Sequence, residues 1–292
     1  MFTLSRRAFL GTVTAAAWVA GWERRLLAEG LPVRFGACDW SLGRALDPAA
    51  LDLAAKIGLD GVEISCGDPA DTLAIADPAL RDRYREAMTR SGRVVSSLAM
   101  GLLNNAPLAE DDRAPAWLNQ AIDAAKDLHA PVILLAFFGK GDLRKGRKLK
   151  EDAMKVAAAR VRDALPRARD AGVTLAIENT LSATDNLRLL DMVGDDAVRV
   201  YYDIGNSTYN GYDVPAEIRA LADRIAQVHF KDGGKMLTEG KVDLSAAVKA
   251  IHDIGYKGWI VLETAIPSGD AEKDFQVNLE RAKAAFAQFA RT

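Results

Sequence analysis

Val173-Thr174-Leu175-Ala176-Ile177-Glu178 begins a stretch in which short apolar and β-branched runs close on a polar side chain and are separated by segments of helical period. Val198–Asp203, Ile225–His229 and Trp259–Glu263 repeat the pattern. Runs that are apolar nearly throughout suit strands covered on both faces, and the intervening helices suit parallel pairing. Working outward toward the N-terminus, Val33–Cys38, Gly61–Ser65, Val94–Ala99 and Val132–Phe137 add four more units of the same kind. Eight βα units without a Pro/Ser-rich linker predict an α/β chain with one (β/α)8 TIM barrel over residues 31–292. A doubly wound open sheet would need a glycine fingerprint after its first strand. Ala37-Cys38-Asp39-Trp40-Ser41 stands there instead.

The helix boundaries are also written in the chain. Asp47-Pro48 opens the first helix and Gly58 closes it; Asp77-Pro78 and Gly92 do the same for the second. An acidic cap, a proline in the first turn and a glycine past the last are the residues that helix ends favour. Asp213-Val214-Pro215 marks another start, and Asp243 with Gly255 brackets the helix before the last strand. Pro166 is expected to kink or divide the long helix between Lys150 and Ala171.

Composition sets outer limits on function. The 292 residues are 49% hydrophobic and 27% charged, with a formal net charge of −2. Residues 1–30 hold Arg6, Arg7, Arg24 and Arg25 against Glu23 and Glu29, so the remainder is more acidic still, which argues against a nucleic-acid partner. Ser5-Arg6-Arg7-Ala8-Phe9-Leu10 before the apolar run Gly11–Gly21 resembles a twin-arginine export signal. Residues 1–30 are therefore read as a targeting segment and the protein as exported or periplasmic. An uncleaved signal aside, no run approaches the roughly 18 apolar residues of a spanning helix. Cys38 and Cys66 form no metal-binding spacing; two reduced thiols and a bridge between neighbouring strand ends are both compatible with their positions.

In a parallel barrel the chemistry gathers at the carboxyl ends of the strands. The last four ends deliver Glu178, Asp203, His229 and Glu263 to one rim. Three carboxylates so placed repel one another, and a divalent cation supplies the compensating charge; separate rim salt bridges are the alternative. One imidazole with carboxylate oxygens suits a single Mn, Mg, Co or Zn ion with positions left for water or substrate.

With Gly61-Val62-Glu63-Ile64, His229-Phe230-Lys231-Asp232 and Gly240-Lys241-Val242-Asp243 leading to Gly255-Tyr256-Lys257-Gly258-Trp259, the chain after residue 30 resembles the xylose isomerase-like TIM barrel family, which includes ketose 3-epimerases and hydroxypyruvate isomerase. The resemblance implies a small carbohydrate substrate and a divalent-metal-dependent isomerase or epimerase. It also implies that Glu178 and Glu263, besides holding metal, remove and return a proton beside a carbonyl. Two positions depart from the ketose epimerases: Asn206 replaces a histidine three residues after Asp203, and Thr184 replaces a glutamate six residues after Glu178. Asn206 can hydrogen-bond a sugar hydroxyl but cannot carry a proton. A lyase acting on oxidised keto-glycosides by the same proton abstraction, or a non-catalytic metal-containing sugar-binding protein, are the alternatives.

Further substrate contacts are expected from Lys231, Trp40 and Asn104. Lys231 meets a substrate oxygen or forms a rim salt bridge, Trp40 stacks on a sugar or packs in the core, and Asn104 with Asn105 bonds hydroxyls or shapes a turn. Glu63 is read as a structural barrel residue, and His129 and His252 as helix residues without a role. The basic segment Gly139–Lys148 is a solvated charge run or a lid. Three histidines are too few for the trinuclear zinc site of endonuclease IV-type repair enzymes. The fourth strand, ending in Ala136-Phe137-Phe138-Gly139, lacks the acid of a retaining glycosidase.

Overall fold

The computed structural model describes residues 31–289. Eight parallel strands close into a barrel: β1 (Arg34–Cys38), β2 (Gly61–Ser65), β3 (Val94–Met100), β4 (Val132–Phe137), β5 (Thr174–Asn179), β6 (Val198–Asp203), β7 (Ile225–Phe230) and β8 (Trp259–Leu262). Each bound lies within a residue of the sequence expectation. β8 pairs with β1, so no sheet edge remains among the barrel strands. The expected signal at residues 1–30 lies outside the described residues.

Strand alternation sorts the side chains into two layers. Ile133, Leu135 and Phe137 point outward into the large cluster between strands and helices. Val132, Leu134 and Ala136 point inward, where they meet Ala99, Ala176 and Tyr201 in a small lumen cluster. Across the lumen Cys38, Trp259 and Val261 form a second one. Gly61 makes room for Trp259: a Cβ there would lie 2.7 Å from the Val94 carbonyl oxygen and 2.8 Å from the indole. Any side chain at residue 61 would force the base of the barrel apart.

The outer helices are α1 (Ala49–Ile57), α2 (Pro78–Ser91), α3 (Ala114–Leu128), α4 (Glu151–Ala171), α5 (Ala183–Val193), α6 (Ile204–Tyr209), α7 (Val214–Leu221), α8 (Leu244–Asp253) and α9 (Ala271–Ala287). Their ends follow the sequence signals. The Asp77, Asp213 and Asp243 carboxylates accept from first-turn amides, and Gly58 and Gly92 take left-handed φ of 92° and 68°. Pro166 does not divide its helix, because α4 runs unbroken through it. The missing amide costs one hydrogen bond, while Ala164, Leu165 and Ala168 around it stay buried against the barrel. Among the described residues, no helix is long and apolar enough to cross a membrane.

The connections on the catalytic side are pinned. Asp232, fully buried just past β7, accepts from the backbone N–H of Gly240, Lys241 and Val242 at 2.8, 2.8 and 3.1 Å, so the two sequence segments quoted for β7 and its sequel form one unit. The basic segment after β4 folds into a short antiparallel ribbon, Arg144–Lys145 against Lys148–Leu149. Arg144 secures it by donating to Tyr212 Oη at 2.8 Å and to Asn210 Oδ1, while Lys145, Gly146, Arg147 and Lys148 are exposed.

Candidate metal centre

Glu178 lies one residue from the end of β5, Asp203 ends β6, His229 lies one residue from the end of β7 and Glu263 directly follows β8. Parallel pairing in register, with Asp203 opposite His229 and His229 opposite Val261, carries these ends to one height on the rim. One ligand atom from each of the four lies within 4.8 Å of the others. His229 Nδ1 is 3.1 Å from Glu178 Oε1 and 3.5 Å from Glu263 Oε2. Asp203 caps α6, its Oδ1 accepting from Gly205 and Asn206 N–H at 2.7 and 2.9 Å. Its Oδ2 is buried without a hydrogen-bond partner among the described residues. An orphaned carboxylate oxygen beside two further carboxylates is costly unless a cation answers it. The residues present therefore fit a divalent ion.

The carboxylates do not titrate alike. Burial, opposed by the His229 charge, raises Glu178 above the ordinary glutamate range. Burial, reinforced by Glu178 and Glu263, pushes Asp203 up to about 7. Glu263 goes the other way. Burial again works against its charged form, but His229, Lys231 and hydrogen bonds from Lys231 and Trp40 outweigh it. Lys231 Nζ sits 3.0 Å from Glu263 Oε2, and Trp40 Nε1 donates to Glu263 Oε1 at 3.3 Å. Lys231 thus forms the rim salt bridge. Trp40 is half-buried, with its indole edge-on to His229 at 6.2 Å between ring centroids.

Asn206 donates to Glu178 Oε1 at 3.4 Å, which puts it against the centre where the ketose epimerases carry histidine. Asn104 does not face the substrate space: its Oδ1 accepts from Phe138 N–H at 3.0 Å and ties the loop after β3 to the end of β4. Asn105 lines the cleft instead. The backbone makes this choice, because a one-residue step in a tight turn swaps which amide points inward. His129 is an exposed left-handed C-cap of α3, and His252 is exposed on α8. Cys38 and Cys66 are both free and buried.

Sequence reasoning missed the polar cluster beneath the centre. Cys38, Glu63 and Ser97 are register neighbours on β1, β2 and β3. Glu63 reaches across the lumen to His229 Nε2 at 2.8 Å, and Cys38 Sγ lies 3.4 Å from the same nitrogen. The available signal was a period of two: Val62 and Ile64 claim the outward face, so Glu63 must point into the lumen.

Beside the centre a cleft of about 360 Å³ runs from Trp40 and Glu178 across the ends of β2, β3 and β4. Leu46, Pro69, Leu102 and Leu134 supply apolar wall, and Ser65, Asp68 and Asn105 supply polar groups. Among the described residues, the lining contains no lysine or arginine.

Residues 51–285 match the profile of the xylose isomerase-like TIM barrel family. The chain belongs to that family. It is 30% identical over 207 residues to 2-epi-5-epi-valiolone 7-phosphate 2-epimerase of Actinoplanes sp., spanning 68% of this chain and 73% of the relative. D-psicose 3-epimerase of Clostridium cellulolyticum superposes with a TM-score of 0.71 at 15% identity, over 87% of this chain and 99% of that one. The apo form of 3-keto-D-glucoside 4-epimerase from E. coli gives 0.72 at 13% identity, over 86% and 99%. The fold is constant through this set, while the substrates named and the carbons epimerised differ.

Proposed function

We propose that this protein is a divalent-metal-dependent sugar isomerase or epimerase that moves a proton beside the carbonyl of a free sugar or keto-sugar. The isomerase/epimerase class is supported by family membership together with the epimerase relatives. The observation that carries the metal is the convergence of Glu178, Asp203, His229 and Glu263 within 4.8 Å, with Asp203 Oδ2 left unanswered.

Those four residues would hold one Mn, Mg, Co or Zn ion. When bound, the ion polarises the substrate carbonyl and its neighbouring hydroxyl. The rest falls to the chain. Glu178 and Glu263 approach the same space from β5 and from the end of β8, so one can take a proton while the other returns it. Their surroundings differ: Glu263 is held by Lys231 and Trp40, and Glu178 lies against His229 and Asn206, so the two can take unlike roles. Lys231 offers its remaining N–H groups to a substrate oxygen, Trp40 presents its ring to the sugar, and Asn206 its amide to a hydroxyl.

The cleft supports an uncharged substrate. A phosphate would find no lysine or arginine among the described lining residues and would face Asp68. A second reading is a lyase on keto-glycosides: one of Glu178 and Glu263 takes the proton beside the carbonyl, the C–O bond to the aglycone breaks, and the other gives a proton to the departing oxygen, with Asn206 holding a hydroxyl. Residues 1–30 are proposed to direct export through the twin-arginine pathway, ahead of a barrel domain over residues 31–292. Arg6→Lys with Arg7→Lys should then hold the protein in the cytoplasm.

The deciding experiment is solvent-deuterium incorporation into a panel of ketoses and keto-glycosides with Mn or Co added. Exchange at a carbon next to the carbonyl, lost on chelation, is expected. Tight binding of a sugar with no exchange from any of them would replace the enzyme by a sugar-binding protein. Equal metal content in wild type and His229→Ala would overturn the site.

A further inference from the structure

We infer that Glu63 is the positioning residue for His229, holding the proton on Nε2 so that Nδ1 is the nitrogen offered to a cation at the rim. The inference rests on the metal reading above and extends it to a strand that contributes no ligand.

Glu63 is fully buried in the lumen. Its Oε2 accepts from Ser97 Oγ at 2.5 Å, and its Oε1 lies 2.8 Å from His229 Nε2. Hydrogen-bond direction can be followed along this chain. Gln227 Nε2 can only donate, and it does so to Ser97 Oγ at 2.9 Å and to Tyr201 Oη at 3.0 Å. The Ser97 proton is thereby free for Glu63, so donors converge on the carboxylate. An acceptor-only carboxylate 2.8 Å from an imidazole nitrogen requires a proton on that nitrogen; two facing lone pairs at this distance would repel. Nε2 therefore carries the hydrogen. By the same reasoning a proton lies between Nδ1 and Glu178 Oε1, 3.1 Å apart, while no cation is bound, and a cation entering among the rim carboxylates would displace that proton and take the Nδ1 lone pair.

Two neighbours hold the ring in this orientation. Tyr201 packs on one face, with centroids 4.4 Å apart, and Trp40 approaches edge-on. Cys38 Sγ, 3.4 Å from Nε2 and 3.6 Å from Glu63 Oε1, occupies the remaining space under the ring. The competing use of these atoms is a second cation held by Cys38, Glu63 and His229, whose ligand atoms also lie within 4.8 Å of one another. Such an ion would need Nε2 deprotonated and would break the bond to Glu63. The two arrangements exclude each other.

The test begins with the full-length wild-type protein, labelled with 15N-histidine and loaded with Zn, a diamagnetic ion. His229 should show a metal-shifted Nδ1 and a slowly exchanging Nε2–H; a metal shift on Nε2 overturns the inference without any mutation. Competition titration then compares variants. Glu63→Gln can present an NH2 group to Nε2 and so favour the reverse tautomer. Its affinity for Mn or Co should fall about 10–100-fold, as expected for an outer partner of a metal-bound histidine. Ser97→Ala, which leaves the carboxylate in place, should stay within a few-fold of wild type. Unchanged affinity in folded, Zn-competent Glu63→Gln overturns the inference. So does a stoichiometry of two ions per chain that Cys38→Ser reduces to one. Absence of any metal in wild type would instead reject the metal centre itself, and this inference with it.

Discussion

The two halves of the barrel rim do different work. From β5 to β8 the strands end in Glu178, Asp203, His229 and Glu263, a concentration of charge that demands a counter-charge. From β1 to β4 they end around a cleft with mostly small or apolar walls, in which Asp68 and Asn105 stand near the outer edge. Under the proposed function, one half serves chemistry at a single point and the other the shape of whatever extends from it. A fold can keep the first and vary the second. The names of the relatives share epimerisation but differ in substrate and carbon.

Substitutions in the charged half should separate the halves most sharply. Glu178→Gln and Glu263→Gln each keep side-chain volume and one ligand oxygen while removing the base. Proton exchange should fall about 10²–10⁴-fold, with bound metal measured in each variant so that ligand loss is not mistaken for lost catalysis. Wild-type exchange in both metal-loaded variants would break the assignment.

A second effect follows from Asp203, whose carboxyl is pushed up to about 7 from the ordinary 3.8. Between these values the folded, metal-free chain holds a proton that the unfolded chain has released. Stability of the metal-free protein should therefore decline as pH rises from about 4 to 7. Metal binding must displace that proton, so affinity should rise through the same region by about tenfold per pH unit below 7. The shift in thermal midpoint on adding Mn should accordingly be larger at pH 8 than at pH 6. A pH-independent shift would show that Asp203 is ionised throughout or does not bind.

Trp40 stands where the halves meet, touching Glu263 and lining the cleft. Trp40→Phe removes the donated hydrogen bond and keeps most of the ring. The rate should drop only a few-fold, with the acid limb of the pH–rate profile moving upward as Glu263 loses a stabilising partner. A change in KM without movement of that limb would leave Trp40 purely a wall. The smallest effect is expected at Asp68, which is exposed. Asp68→Asn should barely alter turnover of neutral sugars while improving the handling of phosphorylated ones. A wild-type preference for sugar phosphates would contradict the reading of the cleft.

The convergence of the charged half was legible in the sequence because each of the four candidate ligands closes an apolar run, and parallel pairing brings run ends together whatever the loops do. The cleft was less so. Asn104 and Asn105 are adjacent in the chain, yet the first ties down Phe138 and the second faces the substrate space. Only the turn geometry separates them. Glu63 illustrates a third case: strand periodicity points it inward, but its contact with His229 spans the lumen between strands that are not neighbours. A pattern along one strand carries no such distance. Pro166 does not divide α4 because burial along the helix outweighs one missing hydrogen bond.

Asp232 bears on how the protein could be re-engineered. Its carboxylate gathers three consecutive amides from Gly240 to Val242, and a Cβ on Gly240 would fall 2.0 Å from its Oδ1. The connection after β7 is therefore fixed in both length and composition, and it holds Lys231 in step with His229. Libraries that lengthen or randomise this loop should yield few folded members. The connections after β2 and β3, which line the cleft without touching the four rim residues, are where substrate range can be altered at least risk to the proposed metal centre.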